Sequence, residues 1–238
     1  MTGARVDKAG GASPKATAVE RSNRSPVQLL TKDLVVARGG RRIIDGLSFA
    51  VGAGEALLLT GRNGSGKTTL IRTLAGFLAP VSGSITLQGF DAERDAREAC
   101  HYVGHLDANK ASLTVVENLR FWQSYLGDDS EAGGVSKALW SALDRLELAP
   151  LADIPAGYLS AGQKRRLGLA RLMVARRPVW LLDEPTVSLD VQSTALLAGI
   201  ISAHVAAGGI VVAATHLPLG LATSRELRLG DRAGSAAA

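Results

Sequence analysis

The segment Gly61-Arg62-Asn63-Gly64-Ser65-Gly66-Lys67-Thr68 places glycines, a lysine and a hydroxyl at the spacing G-x-x-x-x-G-K-[ST]. That spacing suits one chemistry, the cradling of a polyphosphate. Glycines let the backbone fold tightly enough for successive N–H groups to face phosphate oxygens. In such a loop Lys67 bridges the β- and γ-phosphates and Thr68 reaches Mg²⁺; Thr69 is counted with the nucleotide-binding residues, and the following helix adds its positive N-terminal end. A glycine-rich turn with a chance lysine is the plain alternative. The apolar run Leu57–Leu59 ahead of the loop and the stripe Leu70, Leu74 and Phe77 behind it argue for strand, loop and helix in order.

A second group is Val179-Trp180-Leu181-Leu182-Asp183-Glu184, an apolar run that ends in two carboxylates. Many strands end in acids, so the run alone says little. Beside a phosphate loop, Asp183 becomes the acidic partner that binds Mg²⁺ through water, and Glu184 the base that orients and deprotonates an attacking water. A third group is Leu159-Ser160-Ala161-Gly162-Gln163. Ser160 and Gln163 form the capping pattern S-x-x-Q, and Gly162 permits close approach to a helix N-terminus. This is either a second anion site or an ordinary capped helix.

These groups need a scaffold. Ala56–Leu59, Val179–Leu182 and Ile210–Ala214 are short and continuously apolar, as strands buried on both faces of a parallel sheet are. Ligands of such sheets bind at the carboxyl ends of the strands. Leu47, Phe49 and Val51 alternate with polar residues, as do Ile85 and Leu87, which predicts half-buried strands near the N-terminus. Between about 91 and 175 the pattern turns helical. Thr114 and Glu117 predict a capping box, and Leu139, Leu143 and Leu146 share one helical face. Residues 1–26 have almost no large apolar side chains and read as a disordered, weakly basic tail; 232–238 read as a frayed end.

Of the net charge of +5 over 238 residues, the tail supplies three units, because Arg5, Lys8, Lys15, Arg21 and Arg24 face only Asp7 and Glu20. A nearly neutral body does not support nucleic-acid binding. No apolar run reaches the ~18 residues of a membrane helix, and no secretory leader is visible. The single cysteine, Cys100, excludes a disulfide framework, and beside His101 it has a poor spacing for metal. Lys164-Arg165-Arg166 reads as a solvated helix face near the nucleotide. Trp122 and Tyr125 read as helical core, with a haem or partner face as the alternative.

With its phosphate loop, signature, acidic strand and then His216 in that order, the chain from Val27 to Leu229 resembles the ABC ATPases. The resemblance implies an α/β fold: a P-loop NTPase core of the ABC type, with an N-terminal antiparallel β part and a helical lobe inserted at about 91–175. One ABC transporter ATP-binding domain would then occupy 27–231. The resemblance further implies that Ser160 and Gly162 meet the γ-phosphate held by another copy, in a head-to-tail dimer around two ATP molecules. It implies that His216 touches the γ-phosphate. Ser188-Leu189-Asp190 resembles the loop that crosses the dimer interface, although Asp190 also suits a helix cap.

Two positions depart from the commonest family pattern. Arg38-Gly39-Gly40 stands where an aromatic stacks on adenine; the Arg38 guanidinium can stack on a base, or simply lie on the surface. His105, in Val103-Gly104-His105, stands where a glutamine ligates Mg²⁺. Imidazole is a poorer ligand for that ion than an amide oxygen, and a loop histidine away from metal is the alternative. These departures, the segments 104–110 and 113–122, and Asp153-Ile154-Pro155 resemble the ATP-binding subunits of cytochrome c maturation transporters. What this implies is an ATP- and Mg²⁺-dependent ATPase at the cytoplasmic face of a bacterial inner membrane. It would drive integral-membrane subunits of that system in haem export or haem-chaperone release. An exporter ATPase for another cargo and a soluble ABC ATPase acting on nucleic acid or ribosomes are the other readings.

Overall fold

A computed structural model describes residues 26–90, 96–126, 137–215, 219, 221 and 224–230. The expected tail (all but Pro26), the 232–238 end and His216 lie outside these residues.

Two sheets carry the fold. β1 (Gln28–Arg38) and β2 (Arg41–Gly52) form a hairpin closed by Gly39 and Gly40, both at positive φ. Such a two-residue turn matches the right-handed twist of its strands, and glycine takes it without steric cost. β4 (Ser82–Gln88) pairs antiparallel on the other edge of β1, giving the order β2-β1-β4. The second sheet is parallel, in the order β5-β6-β7-β3-β8, with β3 at Ala56–Thr60, β5 at Cys100–Val103, β6 at Val179–Asp183, β7 at Ile210–Ala214 and β8 at Arg225–Arg228. β5 thus belongs to the parallel sheet although it falls within the stretch read as helical.

β6 and β7 are buried at every position, as continuous apolar runs in a doubly covered sheet should be. Alternate residues enter different cores. Val179 and Leu181 pack with Leu57, Leu59, Leu70 and Ile71 under the antiparallel sheet. Trp180 and Leu182 pack with residues of the four helices on the opposite face. Each fully buried leucine among them contributes roughly 1.5–3 kcal/mol.

α1 (Lys67–Leu74) ends in a Schellman motif: Gly76 at positive φ donates to Thr73 O, and Phe77 N donates to Arg72 O. Phe77 therefore lies beyond the helix and is exposed, edge-on to Tyr102, rather than continuing the stripe of Leu70 and Leu74. α2 (Val115–Tyr125) and α4 (Ala161–Val174) both begin with the expected capping boxes, Thr114 with Glu117 and Ser160 with Gln163. Between them runs α3 (Lys137–Arg145), which buries Leu139 and Leu143; Leu146, just past its end, is buried too. α5 (Val191–Ala206) follows β6. Trp122 packs against the helical core, but Tyr125 is 71% exposed, so the core reading fails there. Its ring stacks on Phe121 instead. His101 is buried on β5 with Nε2 2.8 Å from Ala175 O.

Candidate functional site: a phosphate loop facing an acidic strand

The site lies at the carboxyl ends of β3 and β6, on either side of β7. After β3, Gly61 takes φ 128, and a Cβ there would come within 2.3 Å of Leu229 O, so only glycine fits. Gly66 takes φ 104 and lies so close to Ile43 that a Cβ would come within 2.9 Å of its Cγ2. The loop is pressed between β2 and the end of β8. Inside it the buried Lys67 ammonium donates to Gly61 O at 2.8 Å and to Arg62 O at 3.3 Å. No side chain caps α1, and its first turn holds no acid. The helix N-terminus is therefore left to an anion. Ser65 Oγ is buried within the loop without a hydrogen-bond partner, which leaves one more polar group for a ligand.

Across from the loop, Thr68 Oγ1 donates to Asp183 Oδ1 at 2.9 Å. This side-chain bond joins the loop directly to the acidic strand, and it brings together the two groups expected to meet around Mg²⁺. The donor set fits that ion: one hydroxyl, one carboxylate, and room for phosphate oxygens and water. Among the described residues, no cluster of three or more His, Cys, Asp or Glu forms a cage for a metal held by protein alone.

Glu184 follows with φ 49, a left-handed conformation rare for a residue with a side chain. Its N–H donates to Ala214 O at 2.9 Å. A cavity of about 530 Å³ is lined by Arg38, Ile43, Asn63, Gly64, Lys67, Thr68, Thr69 and Glu184, among others. Arg38 thus stands on the wall of this cavity, and so does Ile43, which no motif singled out.

Other expected residues lie apart. His105 is exposed just beyond β5 and does not line the cavity. Leu159 is buried, while Ser160, Ala161, Gly162 and Gln163 form the α4 terminus and are also absent from the cavity wall. Gly162 lies against the loop after β6, where a Cβ would come within 3.2 Å of Ser188 O. Asp190 in that loop caps α5, accepting from Ser193 N at 2.7 Å, and this bond holds its carboxyl below the usual range. The signature and the 188–190 loop are thus neighbours, outside the cavity of their own chain.

The basic run 164–166 departs from expectation at Arg165, which is 2% exposed rather than solvated. Its guanidinium donates to Glu184 O, Pro185 O, Gly104 O and Asp107 Oδ1. A lone arginine in a basic run carries no sequence signal for this, since its acceptors are mostly backbone carbonyls distant along the chain.

Comparison with known proteins agrees with this geometry. The family model for ABC transporters matches residues 44–187. The cytochrome c biogenesis ATP-binding export protein CcmA of Rhodopseudomonas palustris (strain HaA2) is 50% identical over 207 residues, covering 87% of this chain and 100% of that protein. CcmA of Nitrobacter winogradskyi is 51% identical over 87% of this chain and 100% of its own length. Among solved structures, an ATP-binding protein of an ABC transporter from Pyrococcus furiosus superposes with a TM-score of 0.73 at 24% identity, over 85% of this chain and 97% of that one. The phosphate loop and the acidic strand thus sit in the fold of these ATPases, and the chain belongs to the ABC transporter ATP-binding family, in its CcmA branch.

Proposed function

We propose that the chain is the ATP-hydrolysing subunit of a transporter for cytochrome c biogenesis, and that Lys67, Thr68, Asp183 and Glu184 do the chemistry. The observation that carries the site assignment is the shared cavity, in which the phosphate loop and Glu184 face each other. Backbone N–H groups of 63–68 and the Lys67 ammonium hold the phosphates, and Arg38 and Ile43 flank the base. Thr68 and Asp183 hold Mg²⁺, which supplies charge neutralisation on the phosphates when bound. Glu184 orients the attacking water and takes its proton. His216 is assigned to the γ-phosphate from its place in the sequence after β7, whereas His105, exposed and off the cavity wall, is given no place among the Mg²⁺ ligands.

The signature lies outside its own cavity, which is what a site completed by a second copy requires. Ser160 and Gly162 of that copy would close over the γ-phosphate in a head-to-tail dimer. No helix among the described residues is long and apolar enough to cross a membrane. On the reading proposed here, integral-membrane subunits anchor the complex to the cytoplasmic face of the inner membrane. The similarity to the cytochrome c biogenesis export protein CcmA, at 50% identity over 87% of the chain, supports a role in export for cytochrome c biogenesis, which we read as haem export or the release of a haem chaperone.

The test replaces the native gene with Glu184→Gln and stains denatured membrane proteins for covalently bound haem. With the variant protein present at normal level, c-type bands should vanish while b-type haem persists. Normal c-type bands would overturn the cytochrome c assignment and leave an ABC ATPase with another cargo.

A further inference from the structure

Arg165 sits one turn into α4, whose N-terminus is the signature, and its guanidinium is almost wholly buried. Four of its donor positions are used. Nη2 donates to Glu184 O at 2.7 Å and Nε to Pro185 O at 3.1 Å. Nη1 donates to Gly104 O at 2.8 Å and to Asp107 Oδ1 at 3.0 Å. A buried guanidinium is retained only with such extensive pairing, since an unpaired charge in the interior is costly.

The acceptors are informative. Glu184 is left-handed and precedes Pro185. Steric clash with a proline ring already restricts the residue before it, and a non-glycine residue at positive φ is strained as well. Such a conformation persists only where its surroundings fix it. Here Ala214 O takes the Glu184 N–H, and Arg165 takes both carbonyls that follow. On its other side Arg165 grips the segment that leaves β5 and carries His105. That segment is seated on α4 a second way, because Asn109 Nδ2 donates to Lys164 O at 2.8 Å. It is seated a third way where Gly168 leaves room for Asp107: a Cβ there would come within 3.0 Å of its carbonyl oxygen.

We infer that Arg165 is a positioning residue for hydrolysis: it fixes the backbone that aims the Glu184 carboxylate and ties it to the 104–110 segment and to the signature helix. This rests on the reading of Glu184 as the base. A general base displaced by about 1 Å loses on the order of a hundredfold in rate, while phosphate binding at Lys67 and α1 is untouched.

The test uses the full-length chain in its membrane complex, comparing Arg165→Gln, Glu184→Gln and wild type. ATP-binding stoichiometry counts folded sites, and turnover is expressed per bound nucleotide. Arg165→Gln should lower kcat at least tenfold, with KM within twofold and normal stoichiometry. A purely structural role would instead lower stoichiometry and leave turnover per bound nucleotide intact. Normal turnover per site in Arg165→Gln, with Glu184→Gln inactive, overturns the inference alone. An active Glu184→Gln overturns the reading beneath it. If Arg165→Gln fails to fold, Arg165→Lys decides, because one ammonium cannot serve four separated oxygens. The same tenfold loss supports the inference, and normal turnover overturns it.

Discussion

β5 brings the 104–110 segment to the site, and its buried His101 makes the stability of that strand dependent on pH. Burial pushes the imidazole from 6.5 down to about 3, although its bond to Ala175 O works the other way and Arg177 and Arg171 lower it further. The carbonyl can only accept, so Nε2 carries the proton and the ring is neutral. Between pH 6.5 and 3 the unfolded chain binds a proton at this position that the folded chain refuses, so stability falls as pH falls through that window. Linkage with these two values gives a loss of about 2 kcal/mol at pH 5 relative to pH 7.5, tending to about 5 kcal/mol below pH 3. His101→Gln keeps a donor for Ala175 O and removes the titration. Urea unfolding at pH 7.5 and 5.0, followed by circular dichroism and tryptophan fluorescence, should show wild type losing about 2 kcal/mol more than the variant. Burial also depresses His204, but that contribution is common to both proteins and cancels. Equal losses in the two proteins, or an imidazole at 101 that titrates near 6.5 in the folded chain, would refute the reasoning.

Three further outcomes follow from the site. Lys67→Ala removes a charge-assisted contact to phosphate worth about 1.5–3 kcal/mol, so ATP affinity should fall roughly 10- to 100-fold in equilibrium binding. Gly66→Ala forces an L-residue to φ 104 against Ile43 Cγ2, so it should lower the melting temperature of the nucleotide-free chain by a few degrees and also weaken ATP binding, by calorimetry with and without nucleotide. In a head-to-tail dimer, inactive Lys67→Ala and inactive Ser160→Arg chains complement each other when mixed. Half of random dimers then carry one intact composite site, and activity should return to about a quarter of wild type. No recovery on mixing would argue against a shared site.

Much of this site was legible because phosphate binding requires particular residues at short range. The Gly61–Thr68 loop, the end of β6 and both capping boxes depend on residues a few positions apart, and their patterns survive in the sequence. Buried strands were legible for a similar reason, since β6 and β7 have no polar face to interrupt them. What escaped depends on contacts across the fold. Ile43 is an unremarkable strand residue until the hairpin lays it against Gly66. Arg165 looks like one of three solvated cations until the fold surrounds it with carbonyls from the segments that follow β5 and β6. Phe77 fits the helical period, but Gly76 ends α1 one residue before it. Tyr125 fits the period too, yet it falls in the last turn of α2 where the core has already ended. The placement of Arg38 on the cavity wall and of His105 off it could not be separated by sequence, because each stands where a strand gives way to a turn or loop.

The central claim is that Glu184, aimed across the cavity at the phosphate loop, takes the proton of the attacking water. The direct measurement is single-turnover hydrolysis of MgATP by Glu184→Gln against wild type, with bound nucleotide quantified in the same samples. An amide cannot accept that proton, so ATP should bind at normal stoichiometry and remain uncleaved, with turnover reduced at least a hundredfold, about 2.7 kcal/mol in the barrier. Cleavage of bound ATP at the wild-type rate would contradict the account.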